Sequence, residues 1–335
     1  MREHGAALDL QRAAGPLIPL RVAFWDYDRT LPIFDGRVGI EGCSVACSIL
    51  APHVLFPRAF GAAEFDVSEL SLSRHAQAVA NGTSLYAGVP AFLSRAFRHS
   101  SIYVRTDRVR TPADLVGARI GLRNYDDTAA VVARGLLRDE YGVGRHDVTW
   151  VVGPMEAGGT PVVPLPALHA SIRVEALAAG ATLDGEFAAG RLDGVIALTP
   201  PPCVVAGVPG VGRLFADAPT VEREYAARTG LFPVMHLVGV RASLVAAHPW
   251  LPGRVLAAFE AAKALAIDGL GSLQACKATL PWAAAELAGT RAVLGEDFWP
   301  YGLARNQGML SATLRHLFED GLLARPLAPG DLFWG

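Results

Sequence analysis

Short apolar runs alternate with amphipathic stretches along most of the chain. "LRVAFWDYD" (Leu20–Asp28) and "CSVACSIL" predict the first two strands, and "DVTWVVG" predicts a later one. "DDTAAVVARGLLRDEYGV" predicts an amphipathic helix with acidic residues at its start. In "TPADLVGARIGLRN", Thr111 as N-cap and Pro112 in the first turn predict a short helix before a strand. This alternation predicts an α/β fold in which helices cover both faces of parallel sheets.

Polar residues follow several of the predicted strands. In open parallel sheets, ligands bind beyond the carboxyl ends of the strands and against helix N-termini. The candidate positions at such strand ends are Tyr27–Arg29, Ser71–Ser73, Asn124–Thr128 and Thr199. Arg98–Ser101 and His236 lie beside or within strands of the same regions.

Composition narrows the class of protein. The 335 residues are 51% hydrophobic and 19% charged, which suffices for two domains or for one domain in two lobes. A net charge of −2 without a basic block argues against nucleic acid as a partner. The uncharged run Gly194–Gly212 holds three consecutive prolines and therefore predicts no membrane helix. The N-terminus lacks a secretory pattern, so we predict a cytoplasmic protein. The apolar content and the helical C-terminal part suggest a possible homodimer.

The cysteines and histidines do not follow metal-binding spacings. The four cysteines form no CxxC pair and indicate reduced thiols; they are Cys43, Cys47, Cys203 and Cys276. The histidines show no zinc-ligand spacing either. We therefore predict that the protein requires no metal.

The stretch "FRHSSIYV" places a guanidinium, an imidazole and two hydroxyls directly before a strand. Arg98 and His99 are suited to holding an anion and moving a proton. Taken alone, such residues more often belong to a solvated surface loop, and the local sequence leaves both interpretations open.

Six motifs resemble the 4,5-dihydroxyphthalate decarboxylase family in content and order. They are "DYDRTLPIFDGRV", "FDVSELSLS", "FRHSSIYV", "YDDTAAVVARGLL", "VEREYAARTGLFPVMHLV" and "GEDFWPYG", and the resemblance runs from about Arg21 to Leu323. It implies a two-lobed fold of the type II periplasmic-binding-protein kind, with a ligand cleft between the lobes. Lobe 1 would comprise residues 20–107 and 233–335, and lobe 2 residues 108–232, with crossovers near Arg105–Thr111 and Gly230–Pro233. The implied reaction is loss of carbon dioxide from a hydroxylated aromatic acid without a cofactor.

Such a reaction needs a general acid at the ring carbon that bears the carboxylate, and an anchor for that carboxylate. His99 is our first candidate for the acid and His236 the second, with Arg98 as the anchor. Further substrate contacts are predicted at strand ends and helix starts: Tyr27, Arg29, Ser71, Ser73, Ser100, Tyr125, Asp127 and Thr128. Asp126, Asp127 and Thr199 depart from the family pattern, so the exact acid stays open, including a substrate with one carboxylate.

Two other functions are compatible with this fold, since fold alone does not determine activity. One is a solute-binding or ligand-sensing protein for aromatic acids. The other is a different lyase on the same scaffold, similar to chorismate dehydratase.

Overall fold

The computed structural model describes residues 16–158, 171–272, 274 and 277–334. The strands are β1 Ile18–Phe24, β2 Cys43–Ile49, β3 Val67–Ser71, β4 Tyr86–Arg95, β5 Ile102–Arg105, β6 Arg119–Leu122, β7 Thr149–Val152, β8 Val174–Ala176, β9 Gly194–Ile196, β10 Val211–Arg213 and β11 Val234–Arg241. The helices are α1 Leu31–Phe34, α2 Pro52–Ala62, α3 Leu72–Ala80, α4 Thr128–Tyr141, α5 Leu183–Ala188, α6 Pro202–Val205, α7 Ala218–Thr229, α8 Ala242–Ala247, α9 Leu251–Leu270, α10 Ala283–Leu294 and α11 Gln307–Glu319. Four short 3-10 segments complete the list: His99–Ser101, Pro112–Leu115, Ala304–Asn306 and Pro329–Leu332.

The strands form two sheets. The first has the order β2-β1-β3-β11-β4, and the second has the order β10-β5-β9-β6-β7-β8. The predicted α/β class is confirmed, and the sheets, which the sequence predicts as parallel, contain antiparallel pairs as well as parallel ones. Strand β11 runs antiparallel to β3 and β4, and β5 runs antiparallel to β9 and β10, because these strands follow the passages of the chain between the sheets.

The chain passes between the sheets twice. The first passage lies between Arg95 and Ile102, and the second lies between Arg213 and Val234. Residues 102–105 therefore belong to the second sheet. The reason is that β5 pairs with β9 and β10 rather than with a strand of the first sheet.

The C-terminal helices contact both sheets. Helix α9 packs against β4, whereas α11 packs against α4 of the second sheet. At that contact Arg134 and Asp320 form an ion pair at 2.6 Å, with both side chains about 1% exposed. Gly135 lies against the ring of His316, where a Cβ would come within 2.1 Å of Nδ1. The two parts of the chain are thus joined by close packing as well as by the passages.

The main hydrophobic cluster spans both sheets, and β3 lies inside the first of them. All five residues of β3 are buried, because β1 and β11 flank it and helices cover it. Ser71 is the last residue of this strand and the N-cap residue of α3.

No helix in the described part of the chain is long and apolar enough to cross a membrane. Cys43, Cys47 and Cys203 are free thiols, and Cys276 lies outside the described residues.

Candidate active site

A cleft of about 350 Å³ opens between the two sheets. Its walls come from the start of α2, the β3–α3 junction, β4, the first passage, the β6–α4 loop, the β9–α6 loop and β11. Five predicted site residues line this cleft, and they are Ser71, Arg98, Asp127, Thr128 and His236. The carboxyl ends of β3, β6 and β9 thus lie at one ligand-sized cavity, as expected for sheets of this kind.

His236 lies on β11 opposite Ser71 of β3 and Ser94 of β4. Its Nδ1 is 2.6 Å from Oε1 of Glu69, a side chain with 0% exposure. The ring of Phe56 meets the imidazole edge-on, with 5.0 Å between the ring centroids. These contacts fix the ring, and Nε2 has no hydrogen-bond partner among the described residues.

Glu69 receives three hydrogen bonds. Besides the His236 contact, the Tyr27 hydroxyl donates to Oε1 at 2.8 Å, and the Trp25 N–H donates to Oε2 at 3.0 Å. Burial alone would raise the pKa of Glu69, but the hydrogen bond and charge of His236, together with the other two donors, hold this pKa below its usual range. An ionised Glu69 accepts a hydrogen bond from Nδ1–H, which fixes the orientation of the His236 ring.

Arg98 brings a positive charge to the cleft. Its one hydrogen bond within the described residues is a long contact from Nη1 to the Ser101 hydroxyl at 3.5 Å, and its buried Nε has no partner there. Burial lowers the pKa of Arg98 to about 10, and the nearby Glu222 and Asp127 oppose this. A guanidinium with so few partners is suited to binding a carboxylate.

Two helices begin at the cleft. The Ser71 hydroxyl lies 3.1 Å from the Thr128 hydroxyl, and Thr128 Oγ1 accepts the Ser73 N–H at 3.0 Å. These contacts join the start of α3 to the start of α4. The positive ends of both helix dipoles therefore face the same region, which favours an anion there.

His99 does not line the cleft. It is 1% exposed and packs edge-on against Phe215 and Tyr225, at centroid distances of 5.1 and 5.2 Å. Burial lowers its pKa to about 4, with smaller opposing and reinforcing effects from Glu140 and Arg228. At neutral pH this imidazole is therefore uncharged.

The remaining predicted contacts also lie away from the cleft lining. Arg29 lies between the Tyr27 and Trp299 rings and donates from Nε to the Leu93 carbonyl at 2.8 Å. Tyr125 is fully buried, with the Arg134 guanidinium 3.7 Å from its ring centroid. The Tyr27 hydroxyl donates to Glu69. Ser73 is buried in α3. The N–H of Ser100 donates to Glu222 at 3.0 Å.

Sequence reasoning missed several important side chains. The sequence does contain a signal for Glu69. An acidic residue in the middle of the strand "DVSEL" is costly to bury unless it has a partner, so its position predicts a buried pair. Arg74 and Arg123 also line the cleft, and no local pattern distinguishes them from surface arginines. The apolar wall comes from Phe56, Met235 and Leu198. Within the described residues, no three metal-ligating side chains cluster in a way that could hold a metal ion.

Comparison with known proteins identifies the family of this chain. No protein-family model matches the sequence. The chain is 41% identical over 317 residues to a 4,5-dihydroxyphthalate decarboxylase of Comamonas testosteroni, covering 94% of this chain and 96% of that protein. It is 42% identical over 199 residues to one of Pseudomonas putida, covering 59% of this chain and 77% of that protein.

Solved structures support the fold. The periplasmic aliphatic sulphonate binding protein SsuA of Escherichia coli matches with a TM-score of 0.52 at 14% identity, over 95% of this chain and 92% of that chain. A protein from Archaeoglobus fulgidus matches with a TM-score of 0.51 at 15% identity, over 91% and 98%. The predicted periplasmic-binding-protein-like fold is confirmed. The chain belongs to the 4,5-dihydroxyphthalate decarboxylase family and is a carboxy-lyase.

Proposed function

We propose that this protein decarboxylates a hydroxylated aromatic carboxylic acid without a cofactor, and that His236 is the general acid. The observation that carries this proposal is the pair of His236 and the buried Glu69 in the wall of the cleft. A carboxylate behind an imidazole orients the ring and stabilises its protonated form. This arrangement delivers a proton to a ligand held in front of Nε2.

The chemistry requires a proton before carbon dioxide leaves, because direct loss would create an unstable aryl anion. A proton passes from Nε2 to the ring carbon that bears the carboxylate, and two ring π electrons form the new C–H bond. A hydroxyl para to that carbon supplies electron density during this step. The bond to the carboxylate then breaks, its electron pair restores the aromatic ring, and carbon dioxide leaves. His236 recovers its proton from solvent, so one proton replaces one carboxylate.

Arg98 is the proposed anchor for the carboxylate. The carboxylate keeps its negative charge until the C–C bond breaks, so this ion pair persists through ring protonation. It therefore contributes mainly to substrate affinity. The ring would lie against Phe56, Met235 and Leu198, the last of which is 60% exposed and available for contact.

His236 is preferred over His99 for two reasons. His236 lines the cleft, whereas His99 packs among aromatic rings outside its lining. His99 is also neutral at the pH of the cytoplasm, the compartment that the sequence predicts, because its pKa is lowered to about 4. A neutral imidazole carries only one weakly acidic N–H and is therefore a poor general acid for the first step.

Carbon dioxide release from a panel of hydroxybenzoates and hydroxyphthalates tests the reaction. In deuterium oxide, the product should carry one deuterium at the vacated ring carbon, which proton NMR detects. Dialysis against a strong chelator should leave the rate unchanged. Activity that disappears on dialysis and returns with a divalent metal would contradict the cofactor-free mechanism. A homodimer stays a prediction.

A further inference from the structure

His236 lies between two strand ends that each lead to an arginine, because β11 is placed between β3 and β4 in the first sheet. On one side Ser71 of β3 lies opposite His236, and Arg74 follows in the first turn of α3. On the other side Ser94 of β4 lies opposite His236, and Arg98 follows in the first passage. Both arginines line the cleft, so the proposed general acid has one on each side.

The guanidinium of Arg74 is incompletely paired. In the described part of the chain, the one carboxylate within salt-bridge distance is that of Asp126, whose Oδ2 lies 3.8 Å from Nε, too far for a hydrogen bond. Burial raises the pKa of Asp126 despite the opposing effect of Arg74, so the ion pair is weak. On the surface, in contrast, Arg37 donates to both oxygens of Asp35 at 2.7–3.0 Å. Arg74 therefore keeps most of its capacity to bind an anion.

The third arginine of the cleft has a closer partner. Nη2 of Arg123 donates to Oδ2 of Asp127 at 3.4 Å, and 40% of the Arg123 side chain is exposed against 26% for Arg74. Asp127 is the one carboxylate among the described residues of the cleft lining. Two of the three guanidiniums, those of Arg74 and Arg98, are thus left for the ligand, and a dianion matches their charge.

We propose that Arg74 binds a second carboxylate of the substrate, the one that stays on the ring, while Arg98 binds the carboxylate that leaves. This inference rests on the proposed function and specifies how the site holds its substrate. Two carboxylates on neighbouring ring carbons diverge from one edge of the ring, so each can meet the arginine on its own side of His236. The retained carboxylate keeps its charge from substrate to product, so its ion pair with Arg74 contributes to affinity rather than to rate.

Binding of two unreactive acids tests the assignment. Phthalate has two neighbouring carboxylates, benzoate has one, and neither has the para hydroxyl that the reaction needs. In calorimetric titrations the wild type should bind phthalate at least about tenfold more tightly than benzoate, because a charge-assisted contact to Arg74 is gained. Equal or weaker binding of phthalate would overturn the inference.

Arg74→Gln should lower the ratio of phthalate to benzoate affinity by about tenfold. Glutamine is a good helix former, so α3 should be retained. Arg123→Gln is the matched control, because it removes the same charge from the same cleft, and it should change the ratio much less. An unchanged ratio in Arg74→Gln would contradict the assignment. An equal fall in both variants would show that overall charge, rather than a contact with Arg74, favours the dianion, and would also overturn it.

Steady-state kinetics with 4,5-dihydroxyphthalate separate affinity from rate. Arg74→Gln should raise KM by about tenfold and leave kcat nearly unchanged, because the lost interaction is the same in the substrate complex and in the transition state. A lower kcat at unchanged KM would contradict the proposed role. If none of the acids released carbon dioxide, the proposed reaction would fail, and the titrations would still decide the inference about Arg74.

Discussion

Replacing His99 by phenylalanine should make the protein less sensitive to acid. The imidazole is 1% exposed among aromatic rings, and a phenyl ring fits such a site. Burial lowers its pKa from 6.5 to about 4. Between these pH values the unfolded chain binds a proton at His99 that the folded chain does not bind. The free energy of unfolding therefore falls as the pH falls through this window.

The magnitude follows from the two pKa values. At about 1.4 kcal/mol per pH unit, the gap between 6.5 and about 4 corresponds to about 3 kcal/mol of stability lost on acidification. This loss should be absent in His99→Phe. His75 and His316 are also buried with lowered pKa values, so both proteins lose their contribution equally and the difference isolates His99.

Urea unfolding at about pH 7.5 and about pH 4.5 measures the effect. The stability difference between wild type and His99→Phe should change by about 2.5 kcal/mol in favour of the variant at the lower pH. His146→Phe is the control, because His146 is exposed and should leave the pH dependence as in the wild type. Parallel pH dependences for wild type and His99→Phe would refute the conclusion that His99 is held neutral.

Three further substitutions test the site and its support. Arg98→Ala should weaken calorimetric binding of an unreactive aromatic carboxylate by about 2–5 kcal/mol, whereas Arg29→Ala, outside the cleft lining, should not; equal effects would remove Arg98 as the anchor. Glu69→Gln should lower kcat by about 10²–10⁴-fold with a smaller change in KM, because a neutral amide replaces the carboxylate that accepts the Nδ1 hydrogen bond of His236. Unchanged steady-state kinetics would contradict this. Gly135→Ala should reduce thermal stability by about 1–3 kcal/mol, because its Cβ would lie 2.1 Å from Nδ1 of His316; an unchanged melting temperature would contradict the packing.

The fold was largely predictable because its signals are local. Helix α4 begins at Thr128 and ends before Gly142, where a left-handed backbone suits glycine. The period of the apolar residues and the polar strand ends predict such elements without tertiary information. The passage between the sheets near residue 100 was harder to place, because only the pairing of β5 reveals which sheet it joins.

The site was only partly predictable because side-chain direction and long-range pairing are not local. Arg98 and His99 are neighbours, yet the short 3-10 segment at His99–Ser101 leaves Arg98 at the cleft and His99 among aromatic rings. Glu69 and His236 are 167 positions apart and meet because β3 pairs with β11. No pattern within either strand specifies that pairing, so the carboxylate behind the imidazole required the structure.

The most direct test of the central claim is the single-turnover rate of carbon dioxide release by His236→Ala at saturating enzyme. We expect this rate to fall by about 10²–10⁴-fold, with His146→Ala and His99→Phe close to the wild-type rate. A rate for His236→Ala within about twofold of wild type would show that another group protonates the ring carbon.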